Sequence, residues 1–300
     1  MMMMRMMMVL VLTAAVARGD EGGRVIEYGE PIKRGDLENK AINESSGLAA
    51  SHIHHDLYWT HNDSGNAPVL FAIGPNGEDR AMFTLIGLRA RDWEDIASFT
   101  LDGKPYLLIG DVGDNQQTHQ HGTLILVPEP DVKDTDHHRR AVIKPERLIH
   151  FVYEDGPANC EAIVVDAAAG KVLLIQKVAL GACGVYELPL TPPAAEDDDP
   201  NAGRMYTAKR IGQSWINMVT GADLSPDGRR LIISTYGPSY ELTRTGDETW
   251  ADVFKKQPRR IDMPRRRQGE SICYDTDGES LLLTSEKRPT PLWYIPAKKD

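Results

Sequence analysis

Three hundred residues, 41% hydrophobic and 26% charged, suffice for one large domain or two small ones. The 44 acidic against 34 basic side chains give a formal charge of -10, which argues against a nucleic-acid polymer or an anionic membrane surface as partner. Three cysteines allow at most one internal disulfide.

In chain order, residues 1–17 read as a signal peptide. Arg5 supplies a basic region, Met6 to Val16 an apolar run too short to span a bilayer, and Ala15-Val16-Ala17 a small-x-small cleavage site. The expectation is export, to a secreted, periplasmic or other extracytoplasmic location. No cysteine follows to carry a lipid, and no other stretch is long enough for a membrane-spanning helix. Residues 18–300 then form a single domain, expected as a monomer.

That domain repeats. "CEAIVVDAAAGKVLLIQK" (160–177), "VTGADLSPDGRRLIISTYG" (219–237) and "GESICYDTDGESLLLTSEK" (269–287) each read as a short strand, an Asp/Gly turn and a second apolar strand. "NESSGLAASHIHHDLYWTHND" and "WEDIASFTLDGKPYLLIGDVGDN" follow the same plan. A third strand comes after each pair ("VLFAIG", "TLILVP", "GVYELPL", "YELTR", "PLWYIP"), and a fourth after the first four ("AMFTLIG", "RLIHFVYE", "MYTAKRIG", "RRIDMP"). With Ser46, Glu94, Glu161, Thr220 and Glu270 equivalent, the spacings are 48, 67, 59 and 50 residues. Four antiparallel strands at such a period predict an all-β fold, one β-propeller of five blades. The rival, an open sandwich, does not repeat this way. The N-terminal strand "RVIEYGEPI" (24–32) is expected to complete the last blade and close the ring.

The first strand of a propeller blade starts at one mouth of the central channel. Acids that would be incongruous in a closed core, as in "RDWEDIASFT" (91–100), then face a solvated axis. Ser46 (or Glu44 two residues earlier), Glu94, Glu161, Thr220 and Glu270 make a ring of oxygen ligands suited to Ca2+, the alternative being a water-filled channel with hydrated acids. The turns between second and third strands reach the same mouth with "HNDSGN" (61–66), "DVGDNQ" (111–116), Lys177, Glu286, Lys287 and Arg288. Arg89 and Arg91, with Arg265, Arg266 and Arg267, enter there too, either as a cationic rim for a small anionic ligand or paired with neighbouring acids. As a metal-dependent hydrolase of phosphate esters or anhydrides, the mouth would use Asp63, Asp111 or Asp114 to orient water and His61 as proton donor. Arg89, Arg91, Lys177, Arg267, Lys287 and Arg288 would bind substrate. His61 otherwise hydrogen-bonds a neighbouring loop. A non-catalytic ligand- or protein-binding propeller with structural calcium is the second reading. A glycoside hydrolase is the third, with Trp59 and Trp93 the sugar platforms.

The order of these channel residues resembles the calcium ring of the calcium-dependent apyrases, with Thr220 in place of the usual serine. "ESSGLAAS…LYWTHNDSG" and "DWEDIA…YLLIGDVGDN" are similar in layout to their first blades, and closer still to exported bacterial propellers labelled phytase-like. The resemblance spans nearly the whole mature chain. It implies a secreted five-bladed propeller with calcium on the axis and, from the apyrases, hydrolysis of nucleoside di- and triphosphates.

Of the remaining signals, Cys160 and Cys183 are expected to lie near one face and to pair, leaving Cys273 a buried free thiol. "HIHHD" (52–56), "SPDG" (225–228) and "TDG" (276–278) read as turns on the opposite face without chemistry. "DVKDTDHHRR" (131–140) and "EDDDPNAG" (196–203) read as surface connections.

Overall fold

The computed structural model describes residues 25–133, 135–191 and 205–299. Segments 1–17 and 196–203 lie outside them. After β1 (Ile32–Asp36) the chain runs in antiparallel meanders. The first is β2 (Ser45–Ala50), β3 (Tyr58–Asn62), β4 (Val69–Ile73) and β5 (Asp79–Leu85). The second is β6 (Trp93–Leu101), β7 (Lys104–Asp111), β8 (Gly122–Pro128) and, after an excursion through β9 (Arg139–Ile143), β10 (Arg147–Tyr153). The third is β11 (Cys160–Asp166), β12 (Lys171–Gln176), β13 (Cys183–Pro189) and β14 (Met205–Ser214). The fourth is β15 (Val219–Leu224), β16 (Arg230–Thr235), β17 (Ser239–Thr243) and, after the one-turn helix α1 (Trp250–Val253), β18 (Arg259–Ile261). The last run is β19 (Ile272–Tyr274), β20 (Leu281–Leu283) and β21 (Pro291–Ile295), and β1 adds antiparallel to β21.

The fold is therefore all-β, but its hydrogen bonding gives four sheets where five separate four-stranded blades were expected. Parallel pairing of β10 with β14 merges the second and third meanders into eight strands. Parallel pairing of β9 with β5 extends the first to five. Segment 131–140, read as a plain connection, thus runs into an edge strand. The closing strand also differs from expectation. The regular strand is β1, Ile32–Asp36, which shares Ile32 with the predicted segment, and residues 27–29 continue the antiparallel pairing through the Tyr28–Ala297 bridge and the Gly29–Pro296 and Lys298–Glu27 backbone hydrogen bonds.

Burial follows strand position. The second strands β7, β12 and β16 are continuous apolar runs because both their faces are covered. Leu107 and Ile109 pack toward the first meander, while Tyr106 and Leu108 pack toward the third. Leu173 and Ile175 likewise face the fourth while Val172 and Leu174 face the second. Outer strands alternate instead, β5 burying every second residue, because one face meets solvent. The five apolar cores all lie between successive meanders, the last joining the fifth run back to the first. The innermost strands touch in the same cycle, β2 to β6, β11, β15, β19 and back to β2. Asp102 and Gly103 both have positive φ, +50° and +76°, the twist that a two-residue hairpin between β6 and β7 requires.

Polar pins hold the outer ends of these layers. Glu129 accepts from Trp59 Nε1 at 2.8 Å, from the Ser51 hydroxyl at 2.5 Å and from the His52 amide at 3.0 Å. Glu129→Ala leaves the buried Trp59 indole and Ser51 hydroxyl without that acceptor, so we predict a loss of about 2–4 kcal/mol. Urea unfolding should show a lower midpoint at unchanged slope, and a midpoint equal to the parent's would refute the role.

The cysteine expectation is corrected. Cys160 and Cys183 are both buried free thiols, donating to the carbonyls of Ala162 (3.3 Å) and Ile216 (3.0 Å). Cys273 is a buried free thiol, as expected.

Candidate metal and anion site

Four of the five inner hairpins carry one extra residue at the same place. Register shifts fall between Ser45 and Gly47, Trp93 and Asp95, Cys160 and Ala162, and Val219 and Gly221. The unpaired residues are Ser46, Glu94, Glu161 and Thr220, four of the five ring positions. A bulge frees a side chain from strand alternation and re-aims it. The fifth, Glu270, stands just before β19, where pairing has not begun.

All five are buried, Glu94, Glu161 and Glu270 being only 3–4% exposed. The axis is therefore packed at this depth, where a solvated channel was expected. Inner strands come too close for water: a Cβ on Gly47 would meet the Ile96 amide at 2.8 Å. The two hydroxyls serve this contact, Ser46 donating to the Glu94 carbonyl (2.7 Å) and Thr220 to that of Gly269 (3.0 Å).

The acids gather to one side. Asp63, Asp92 and Glu94 each offer a carboxylate oxygen, all within 4.8 Å of one another. Glu94 hydrogen-bonds Glu161, whose other contacts are Lys177 Nζ at 3.1 Å and Asn159 Nδ2 at 2.8 Å. Gln268 Nε2 holds Glu270 in the same way, at 2.8 Å. Burial, then Asp63, Glu161 and Asp111, lifts Asp92 to about 6. Burial chiefly, with Glu286 and Glu161 adding to it, lifts Glu270 to about 8. Glu286 rises to about 7 through burial, Asp63 and Glu44, and burial with Glu161 and Asp63 holds Glu94 well above the carboxylate range. This is a concentration of negative charge that Lys177, Lys287, His119 and Arg266 offset only in part.

Gly113 explains how the acids fit. A Cβ there would lie 2.1 Å from Glu94 Oε1 and 2.5 Å from Asp92 Oδ2. Gly113 donates its amide to the Asp92 carbonyl just as Asp63, Lys177 and Glu286 donate to those of Glu44, Asn159 and Gln268. The four are equivalent positions, and only glycine leaves the space that the carboxylates fill.

The other predicted residues divide. Asp63 joins the cluster, with one oxygen on the Ser64 amide. Asp111 and Asp114 do not; Asp111 accepts from the Asp92 amide (2.8 Å), and Asp114 from the amides of Thr118 (2.9 Å) and His119 (2.8 Å). Both brace the turns that carry the site. His61 is fully buried, donates Nδ1 to the Asn62 carbonyl and packs edge-on against Trp93. Burial depresses it to about 4, so the ring is neutral near pH 7 and poorly placed to give up a proton. Arg91 bonds the Asp111 carbonyl at 3.2 Å. Arg89, Arg267, Lys287 and Arg288 are exposed; Arg267 caps the Arg288 carbonyl and Arg288 that of Lys40. Glu44 accepts from Asn66 Nδ2 at 2.7 Å.

Asp92, Asn159, Gln268 and Glu286 are candidate ligands or supports beyond the expected set. The signal was available: Glu44, Asp92, Asn159 and Gln268 each stand two residues ahead of a ring position. Beside the cluster a cavity of about 240 Å³ opens between the second and third meanders, with Arg91, His119 and His121 in its wall.

No family model matches the chain, and no curated protein matches it. Among solved structures, a chain of a nidogen/laminin complex superposes with a TM-score of 0.43 at 11% identity, over 81% of this chain and 73% of that one.

Proposed function

We propose that the chain is a single five-bladed β-propeller, exported from the cytoplasm, whose mouth binds calcium and through it a small anionic ligand. Five inner strands in cyclic contact, with an apolar core between each successive pair of meanders, support the blade count. The observation that carries the metal is the convergence of Asp63, Asp92 and Glu94. Two oxygens bound to one calcium ion at 2.3–2.6 Å stand at most about 5 Å apart, which their spacing meets. Hard oxygen donors without sulfur or imidazole select calcium or magnesium, and the mixed, half-buried set suits the looser calcium shell. Glu161 and Glu44 would complete the shell, while Asn159 and Gln268 orient the glutamates. Among the described residues no helix is long and apolar enough to cross a membrane.

When bound, calcium would supply an electrophile for a phosphoryl or carboxyl oxygen. The chain's own contribution is then positional. Lys177 holds Glu161 and keeps a cation beside the ligand, and Arg91 lines the adjoining cavity where an anionic group would lie. Turnover of phosphate esters or anhydrides, as the apyrase resemblance implies, is the activity to test. The second reading, a non-catalytic binding propeller, is favoured by one observation: His61, the expected proton donor, is buried and neutral.

Terbium luminescence competed with calcium tests the site. We expect saturable binding in the parent, and at least ten-fold weaker binding in Glu94→Gln and in Gly113→Ala, whose methyl group displaces both carboxylates. Parent-like affinity in both variants refutes the metal assignment. Calcium-dependent phosphate release from an aryl phosphate or pyrophosphate then separates hydrolase from binder.

A further inference from the structure

The turns "HIHHD", "SPDG" and "TDG" were expected to carry no chemistry, yet they meet at the far end of the axis. There, strand ends and turns from all five meanders enclose a cavity of about 660 Å³, within the range of small-molecule sites. Buried Phe99 and Tyr274 line it, with Leu224, Pro226 and Ala168.

Its charge is one-sided. Five carboxylates line it, Asp102, Asp166, Asp223, Asp227 and Asp275, against the guanidinium of Arg244 and the imidazoles of His52, His54 and His55, and Asp227 is also paired with Arg230 at 3.6 Å. Arg244 already bonds Asp166 (2.6 Å) and the Gly228 carbonyl (2.5 Å). Asp227 accepts from the Ser225 hydroxyl and the Arg229 amide, and Asp275 from the Tyr58 hydroxyl and the Thr276 amide. Asp102 stands exposed at a hairpin tip. Asp223 differs from all of these. It bridges two inner strands by accepting the Tyr274 amide at 2.9 Å, and among the described residues no cation pairs with it. Burial lifts its carboxyl to about 7. A half-buried carboxylate without a paired cation, beside aromatic and aliphatic walls, is the complement of a cation with an apolar body.

We propose that this cavity is a binding site for a small organic cation, a protonated amine on an apolar or aromatic body, with Asp223 as its counter-ion. The site is independent of the acidic cluster at the other mouth and does not need calcium.

Calorimetric titration of the full chain with 2-phenylethylamine, and with the neutral 2-phenylethanol of nearly the same shape, tests it. The amine should bind, and the alcohol at least ten-fold more weakly. Asp223→Asn should weaken the amine ten-fold or more. Ala168→Trp, which changes an exposed alanine and fills the opening, should abolish binding and serves as the deciding variant if Asp223→Asn does not fold. Equal binding of amine and alcohol, an Ala168→Trp affinity within two-fold of the parent, or no amine binding at millimolar concentration would each overturn the proposal.

Discussion

Asp95→Ala should cost the folded chain about 3–6 kcal/mol, the largest loss we expect from any single carboxylate. Asp95 is completely buried at the centre of the wheel. One oxygen accepts its neighbour's amide, Ile96 (2.9 Å), and the other accepts amides from two further inner strands, Ile163 (3.0 Å) and Ala222 (3.1 Å). One side chain on β6 therefore ties β11 and β15 to it. Burial pushes its carboxyl up while the three N–H donors act in the opposite sense. Removing the acceptor leaves three amides in a space that water does not reach, each worth roughly 1–3 kcal/mol unsatisfied. Asp95→Asn keeps one carbonyl oxygen and should fall between parent and alanine. Denaturant unfolding with hydrogen exchange at Ile163 and Ala222 measures this directly. A loss under about 1 kcal/mol, with both amides still protected, would show that the tie is dispensable.

The second large effect is a pH dependence that we expect calcium at the proposed site to remove. Asp92, Glu286 and Glu270 have folded-state values of about 6, about 7 and about 8, all above the ordinary carboxylate range. The folded molecule thus holds protons that the unfolded chain has released. Stability from these groups is complete below their unfolded values, and it is lost as pH rises through 6, 7 and 8. Without calcium, the melting temperature should fall steadily from about pH 5 to about pH 8.5. Calcium at a hundred-fold excess over its Kd adds about 2.7 kcal/mol, roughly 5–10 °C for a chain of this size. Since protons and metal relieve the same repulsion, the calcium-induced shift should be small at the acid end and largest at the alkaline end. Glu270→Gln should flatten the metal-free profile at its upper end. A calcium shift of equal size at both ends would sink the account.

Much of this was legible in residue order. The repeat of strand, Asp/Gly turn and apolar strand marked every inner hairpin, because period-two burial and turn chemistry are local. Ser46, Glu94, Glu161, Thr220 and Glu270 were matched by that repeat and do occupy equivalent places. The closing role of an N-terminal strand was also readable: residues 27–29 of the predicted segment pair with the C-terminal run, and the regular strand continues past its end to Asp36. Asp92 could have been found from its offset, since it precedes Glu94 as Glu44 precedes Ser46.

What the sequence by itself determined is the all-β character, the repeat and the set of acids at the starts of the inner strands. Those follow from local alternation and turn preference, which neighbouring residues settle among themselves. Only the tertiary structure decided that the axis is closely packed at the depth of the ring, that bulges aim four of the ring residues, and that metal-competent oxygens collect at Asp63, Asp92 and Glu94. It alone sent His61 into the core and left Cys160 and Cys183 unpaired. These outcomes depend on how closely strands distant in the chain approach across the axis. That distance is set by contacts such as Gly47 against Ile96 and Gly221 against the Glu270 carbonyl, which no local pattern encodes.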